Sequence, residues 1–183
     1  RIVDYAMAGR TEFMDIFLSA ACRFFLGSAT GISSIPMIFR RPTAYVNLIP
    51  LGFVPTWSAR DLFIPKKLWL REERRWLTVR EMLEVRAGPS LREQLNPPYD
   101  QLGIDVVDNT AEEISALVEE MDERLNGTWQ EMEEDEELQR RFWSLFKPGE
   151  WHGVLLLRMG AEFLRQHRVL LDDRCRTGIG ARA

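Results

Sequence analysis

The stretch Arg23-Phe24-Phe25-Leu26-Gly27-Ser28-Ala29-Thr30-Gly31-Ile32-Ser33 decides the fold. Its opening apolar run, closed by a glycine, predicts a buried strand over residues 23–26. Five small residues, Gly27 to Gly31, then lead into Ser33, Ser34 and Ile35. A helix is expected from about Ser33 or Ser34, with Pro36 tolerated in its first turn. A small, hydroxyl-bearing turn that feeds a helix leaves backbone N–H groups unpaired, and the helix dipole adds partial positive charge there. Phosphate is the commonest anion to use such a site. The same residues also suit a tight turn whose glycines only permit close packing, and the turn alone does not separate the two readings.

Working outward, residues 2–6 read as a strand and Thr11 as the N-cap of a helix carrying Phe13, Ile16, Phe17 and Ala20 at helical spacing. After Arg41-Pro42, residues 43–46 read as another strand, which completes a β-α-β-α-β order. Short connections between such units are the signature of a parallel sheet in an α/β domain. Residues 47–60 form a loop rich in proline, glycine and aromatics, of the length that is usually functional. Residues 61–67 alternate in character and end in Lys66 and Lys67.

Two capping boxes follow, at Thr78–Glu81 and Thr110–Glu113. The first opens a short helix, broken at Gly88-Pro89, with a further loop at Asn96-Pro97-Pro98. The second opens a helix with Ile114, Leu117, Val118, Met121 and Leu125 on one face and Gly127 at its C-cap. Residues 104–107, before it, are expected to add one more β-α unit. Residues 131–137 are strongly acidic and read as a solvated helix face, followed by an apolar stripe at Leu138, Phe142, Leu145 and Phe146. Past Lys147-Pro148-Gly149 a last helix is expected from about Val154 to Leu171, and then a flexible tail over 172–183. Residues 1–171 thus form a single Rossmann-like domain, its part from about 131 to 171 helical.

Composition narrows the function. The chain has 183 residues, 45% hydrophobic and 28% charged, which argues against disorder. A net charge of −4 gives no electrostatic reason to expect nucleic acid. Cys22 and Cys175 are too far apart for a disulfide framework or a zinc site, which suits a reducing, cytoplasmic setting. His152 and His167 lack a neighbouring carboxylate pattern, so no metal site is expected. The turn has no P-loop lysine, no G-x-S-x-G elbow occurs, and no G-x-G-x-x-G follows a strand.

In open parallel sheets ligands bind outside the carboxyl ends of the strands. Tyr5, the Gly27–Gly31 turn and Asn47 are expected there. Ser28, Thr30 and Ser33 offer hydroxyl donors, while Gly27 and Gly31 allow close backbone approach. Arg60, Lys66 and Lys67 are candidates for countercharge, and Trp57 for stacking on a sugar or base.

The run from Cys22 to Pro36, with Arg41-Pro42-Thr43, Asn47 and Pro50-Leu51-Gly52, resembles the C-terminal half of GT-B-type glycosyltransferases. The blocks Arg60–Lys66, Gly103–Thr110 and Gly160–Leu164 are similar to those of a family of bacterial surface-polysaccharide glycosyltransferases. The resemblance spans about Ile2 to Leu171. It implies a nucleotide-sugar-binding domain in which Gly27, Ser28, Ala29, Thr30, Gly31 and Ser33 hold the donor diphosphate. Asn47 would border the cleft, with Arg60 and Lys66 nearby. Ala29 stands where many relatives carry a second hydroxyl. No cofactor is implied; the partners are a nucleotide-sugar, a glycan acceptor and an N-terminal domain preceding Arg1. The expected activity is sugar transfer with the leaving diphosphate stabilised by helix N-terminal amides. A nucleotide-sugar epimerase, and a non-catalytic interaction module of the same fold, stay open as alternatives. A homodimer through exposed apolar surface is a further expectation.

Overall fold

The structure is a computed structural model that describes residues 2–7, 9–54, 58–85, 97–146 and 156–172. Strand β1 (Phe25–Gly27) pairs in parallel with β2 (Thr43–Leu48), β2 with β3 (Leu62–Pro65), and β3 with β7 (Arg158–Met159). β2 and β3 are apolar on both faces and almost wholly buried, as strands inside a parallel sheet must be. The order β1-β2-β3-β7 rises monotonically from β1, beyond which no strand lies among the described residues. The chain is therefore α/β with a four-stranded parallel sheet flanked by helices, compatible with a Rossmann-like arrangement.

Helix α1 (Glu12–Ala21) starts at Thr11, whose hydroxyl accepts the Met14 N–H at 3.2 Å. A 3-10 turn over Gly31–Ser33 and a short α2 (Ser34–Ile38) link β1 to β2. Pro36 lies in the first turn of α2, where its missing N–H costs nothing.

Several expectations are corrected. Residues 2–6 form no strand: Ile2 and Val3 are 98% and 66% exposed, and the segment is a turn tied down by the Tyr5 hydroxyl on the Thr11 backbone. Residues 104–107 do form a strand, β6 (Ile104–Val107), but it pairs antiparallel with β4 (Lys67–Leu70). Its partner on the other side of β4 is β5 (Arg75–Trp76), so a second, three-stranded sheet grows directly from the end of β3. Trp69 and Trp76 meet edge-to-face across it, with ring centroids 5.0 Å apart. The helix expected from Val154 is broken, within the described residues, into β7, α6 (Ala161–Gln166) and a 3-10 turn (Arg168–Leu171). Leu157 and Met159 are buried on either side of a partly exposed Arg158, a period of two, and Gly160 ends the strand.

The capping boxes form as read. Thr78 and Glu81 open α3 (Val79–Glu84), while Thr110 and Glu113 open α4 (Ala111–Asn126), which ends on Gly127 at φ 72°. Left-handed backbone there is the reason for a glycine. Helix α5 (Glu133–Ser144) is only partly a solvated acidic face. Asp135 and Gln139 share its buried side with Leu138 and Phe142. Asp135 takes an N–H from Arg165 at 2.6 Å, and Glu136 pairs with Arg158.

The core runs from β2 and β3 into α4, α5 and the β4 sheet, with Phe63 and Phe142 in contact at 5.6 Å. Gly160 packs so closely beneath α4 that a Cβ there would lie 2.9 Å from Leu117 Cδ1. Among the described residues no helix is long and apolar enough to cross a membrane. Trp57, Gly88-Pro89, Asn96, Lys147-Pro148-Gly149, His152, Val154 and the tail from 173 lie outside the described residues.

Candidate functional site

All four parallel strands point their carboxyl ends the same way, and the Gly27–Gly31 turn stands at that end of β1. Ala29, Thr30 and Gly31 are exposed, and Ser28 is half-buried. Ser33 is buried and already engaged: its hydroxyl donates to the Thr30 carbonyl at 2.6 Å and accepts the Thr30 N–H at 3.3 Å. Its role is to fasten the turn. The two glycines differ. A Cβ on Gly27 would meet the Phe25 ring at 2.7 Å, so a larger residue here has to displace that ring. A Cβ on Gly31 would meet nothing within 4 Å, and its backbone is not left-handed.

A groove of about 390 Å³ reaches Ile32, the residue after Gly31, though none of residues 27–31 lines it. Tyr5, Leu18, Phe25 and Ile32 supply its apolar walls, and the Arg10–Asp15 ion pair, at 2.9 Å, stands at its side. Ile32 belongs both to this wall and to the 3-10 turn that begins at Gly31.

The other candidates are dispersed. Asn47 is at the carboxyl end of β2, in left-handed backbone at φ 53°, where the β2–β3 register shifts. Its side-chain oxygen accepts the Asn109 N–H at 2.7 Å, and its own N–H donates to Asn109 Oδ1 at 2.6 Å. Lys66 follows β3, two strand spacings (~10 Å) from β1, and its Nζ is 2.6 Å from Asp108 Oδ1. Arg60 precedes β3, at the amino end of the sheet, away from the turn. Tyr5 lies at no strand end, though it lines the groove. Between the ends of β2 and β3 the crevice is filled by the chain itself. Leu48, Ile49, Pro65, Leu68, Met82 and Tyr99 close around a void of about 10 Å³, no more than one water.

Two clusters of charge were not anticipated. Lys67 Nζ and His167 Nε2 both reach Glu113 Oε1, at 2.5 and 2.6 Å, while Glu113 Oε2 accepts the Thr110 N–H at 2.8 Å. Burial alone would raise the Glu113 carboxyl, but hydrogen bonds from Lys67, Thr110 and His167 hold it below the usual range. Its capping-box position was visible in the sequence; the reach to β4 and to the end of α6 was not. The second cluster centres on Asp61, 4% exposed at the amino end of β3. Its carboxylate accepts the Thr43 N–H at 3.0 Å, and its carbonyl accepts the Arg158 N–H at 3.2 Å. Burial pushes this carboxyl up to about 6, against the hydrogen bonds from Thr43 and Ser58. The first cluster ties β4 to α4 and to the end of α6, and the second ties β3 to its neighbouring strands. Among the described residues no group of three or more His, Cys, Asp or Glu side chains is placed to hold a metal ion.

Compared with protein-family models, curated protein sequences and solved structures, this chain matches none.

Proposed function

We propose that the chain is the donor domain of a glycosyltransferase of GT-B type, binding a nucleotide-diphosphate sugar over the end of β1. The observation that carries this reading is Gly31. At Gly31 the glycine neither relieves a contact nor occupies left-handed backbone, so neither of these two needs accounts for it. It leaves the turn open to the close approach of a bulky anion, to which the hydroxyls of Ser28 and Thr30 and the turn's backbone N–H groups other than that of Thr30, which Ser33 holds, can donate. A diphosphate bound there extends past Ile32 into the neighbouring groove, whose apolar walls suit a base or sugar. Stabilisation of the departing diphosphate then rests on backbone donors rather than on a metal. Asn47 shapes the end of β2, with its N–H and its side-chain oxygen both engaged by Asn109.

Calorimetric titration with UDP, GDP, CDP and ADP, with and without magnesium, tests the reading. Saturable binding of one of them, abolished in Gly31→Leu with folding retained, is the expected result. Unchanged affinity in Gly31→Leu removes the phosphate site, and no binding by any of the four overturns the assignment.

A further inference from the structure

We infer that the turn Ile38-Phe39-Arg40-Arg41 docks the amino end of the parallel sheet on an anionic lipid bilayer. The four residues are consecutive and all exposed, Ile38 at 70% and Phe39 at 51%. They close α2 and lead through Pro42 into β2, so they stand at the end of the sheet opposite the Gly27–Gly31 turn. Arg40 is in left-handed backbone at φ 55°, and its N–H donates to the Met37 carbonyl at 3.0 Å. Glycine holds that conformation without strain and is the usual residue after a helix that ends this way. Among the described residues no carboxylate pairs with Arg40, so an ion pair does not account for arginine at this strained position.

Further cations stand beside it. The register Phe25↔Thr43 and Ala44↔Leu62 sets Arg23, Arg41 and Arg60 just ahead of β1, β2 and β3. At a strand spacing of ~4.8 Å, their backbones lie within ~10 Å across the sheet. Residues 22–24, 39–42 and 59–61 hold four arginines and one carboxylate, the buried Asp61. Helix ends account for two of the four, since cations suit the carboxyl end of a helix. Arg41 Nε donates to the Ala20 carbonyl at 2.5 Å, in the last turn of α1. Arg23 meets Asp122 and Asn126 near the end of α4. Arg40 and Arg60 are exposed and, among the described residues, in no ion pair.

This chemistry selects the occupant. Arginine suits phosphate, and an isoleucine and a phenylalanine beside it suit the boundary between headgroups and acyl chains. A second copy would set the same arginines against each other, so the patch is not self-complementary. A stable protein interface buries ~800 Å² per partner around an apolar centre, and two apolar side chains supply little of that. A bilayer asks for less area, because shallow insertion and attraction to anionic headgroups add together. With the whole chain at −4, the attraction is local and reaches about one Debye length, ~10 Å at ~0.1 M salt.

Flotation of the chain with lipid vesicles is the test. It should bind vesicles of phosphatidylcholine mixed with phosphatidylglycerol, ignore pure phosphatidylcholine, and come off as salt is raised. Each arginine held at an anionic surface contributes about fivefold to binding. Arg40→Gly removes one cation and relieves the left-handed strain. It should bind about fivefold more weakly while its denaturation midpoint holds or rises, so that a damaged fold does not explain the loss. Phe39→Ser should weaken binding at every salt concentration. Equal binding to the two kinds of vesicle, binding to neither, or unchanged binding by either variant overturns the proposal. Binding to polyglutamate with none to the anionic vesicles also overturns it, and assigns the face to an acidic protein instead.

Discussion

Asn47 and Asn109, 62 positions apart, hold each other by the backbone. Each side-chain oxygen accepts the other residue's N–H, at 2.6 and 2.7 Å, and Asn109 Nδ2 donates to the Pro65 carbonyl at 2.8 Å. Three segments meet there: the bulged end of β2, the end of β3 and the entry to α4. This clasp fastens the ends of β2 and β3 to the entry of α4.

Removing one partner leaves buried backbone groups unpaired, which costs ~1–3 kcal/mol per group. Asn109→Ala strands the Asn47 N–H and the Pro65 carbonyl, so it should destabilise by about 3 kcal/mol in urea titration. Asn47→Gly and Asn47→Ala both lose the side-chain oxygen, but only alanine is also strained at φ 53°. Left-handed backbone costs a non-glycine residue ~1–2 kcal/mol. Alanine should therefore be the worse of the two by about 1 kcal/mol.

Glu113 should govern the acid limb of stability. Its carboxyl is held below the ordinary glutamate value of 4.5, so its contribution is complete above that value and lost as pH falls through the lower, folded value. Replacing it by glutamine leaves the Lys67 ammonium buried without a counter-ion, and breaking such a pair costs ~3–5 kcal/mol. Urea midpoints measured against pH should show Glu113→Gln far less stable at neutral pH, with a flatter slope below 4.5. An acid limb of unaltered slope would place the acid-sensitive group elsewhere.

Local chemistry in this chain is legible and long-range pairing is not. Thr11, the Thr78 and Thr110 boxes and Gly127 act within a few residues of themselves, and all form as the sequence implies. The direction of Ile104–Val107 depends on pairing with Lys67–Leu70, more than thirty residues earlier, and nothing local encodes it. Residues 2–6 carry a strand-like composition, yet the segment turns back onto Thr11 through the Tyr5 hydroxyl instead of pairing with β1. At the candidate site, the Gly27–Gly31 turn could be read because a strand, small residues and a helix follow in order. That Asn47 and Lys66 would be engaged by Asn109 and Asp108 could not, since each partner comes from another part of the chain.

Asp61 acts in the opposite sense to Glu113. Its folded value, about 6, is above the ordinary 3.8, so the protonated carboxyl favours the fold. That contribution is complete below 3.8 and lost as pH rises through 6. Asparagine keeps an oxygen for the Thr43 N–H and removes the buried charge. Asp61→Asn should therefore raise the melting temperature at pH 8, by an amount equivalent to ~2–3 kcal/mol at 1.36 kcal/mol per pKa unit. Its advantage should shrink to nothing below about pH 4. Thermal melts at the two pH values check the sign; equal gains at both would mean packing, not charge, is responsible.

Gly31 and Gly160 form a matched pair for separating fold from function. At Gly160 a Cβ would be 2.9 Å from Leu117 Cδ1 and 3.2 Å from Ile64 Cγ2. Leu117 ends in a movable methyl, but Ile64 is fully buried in β3. Gly160→Ala should therefore overpack the α4–β3 contact and cost ~1–3 kcal/mol. At Gly31 the space is open and the backbone lies in a 3-10 turn, so alanine should be neutral or stabilise by ~0.4–1 kcal/mol through the unfolded chain. If the turn holds a diphosphate, Gly31→Ala should keep or raise the denaturation midpoint and still weaken nucleotide binding. A Gly31→Ala chain that loses stability would mean its glycine serves the fold, and the site would then have to be sought elsewhere on the sheet.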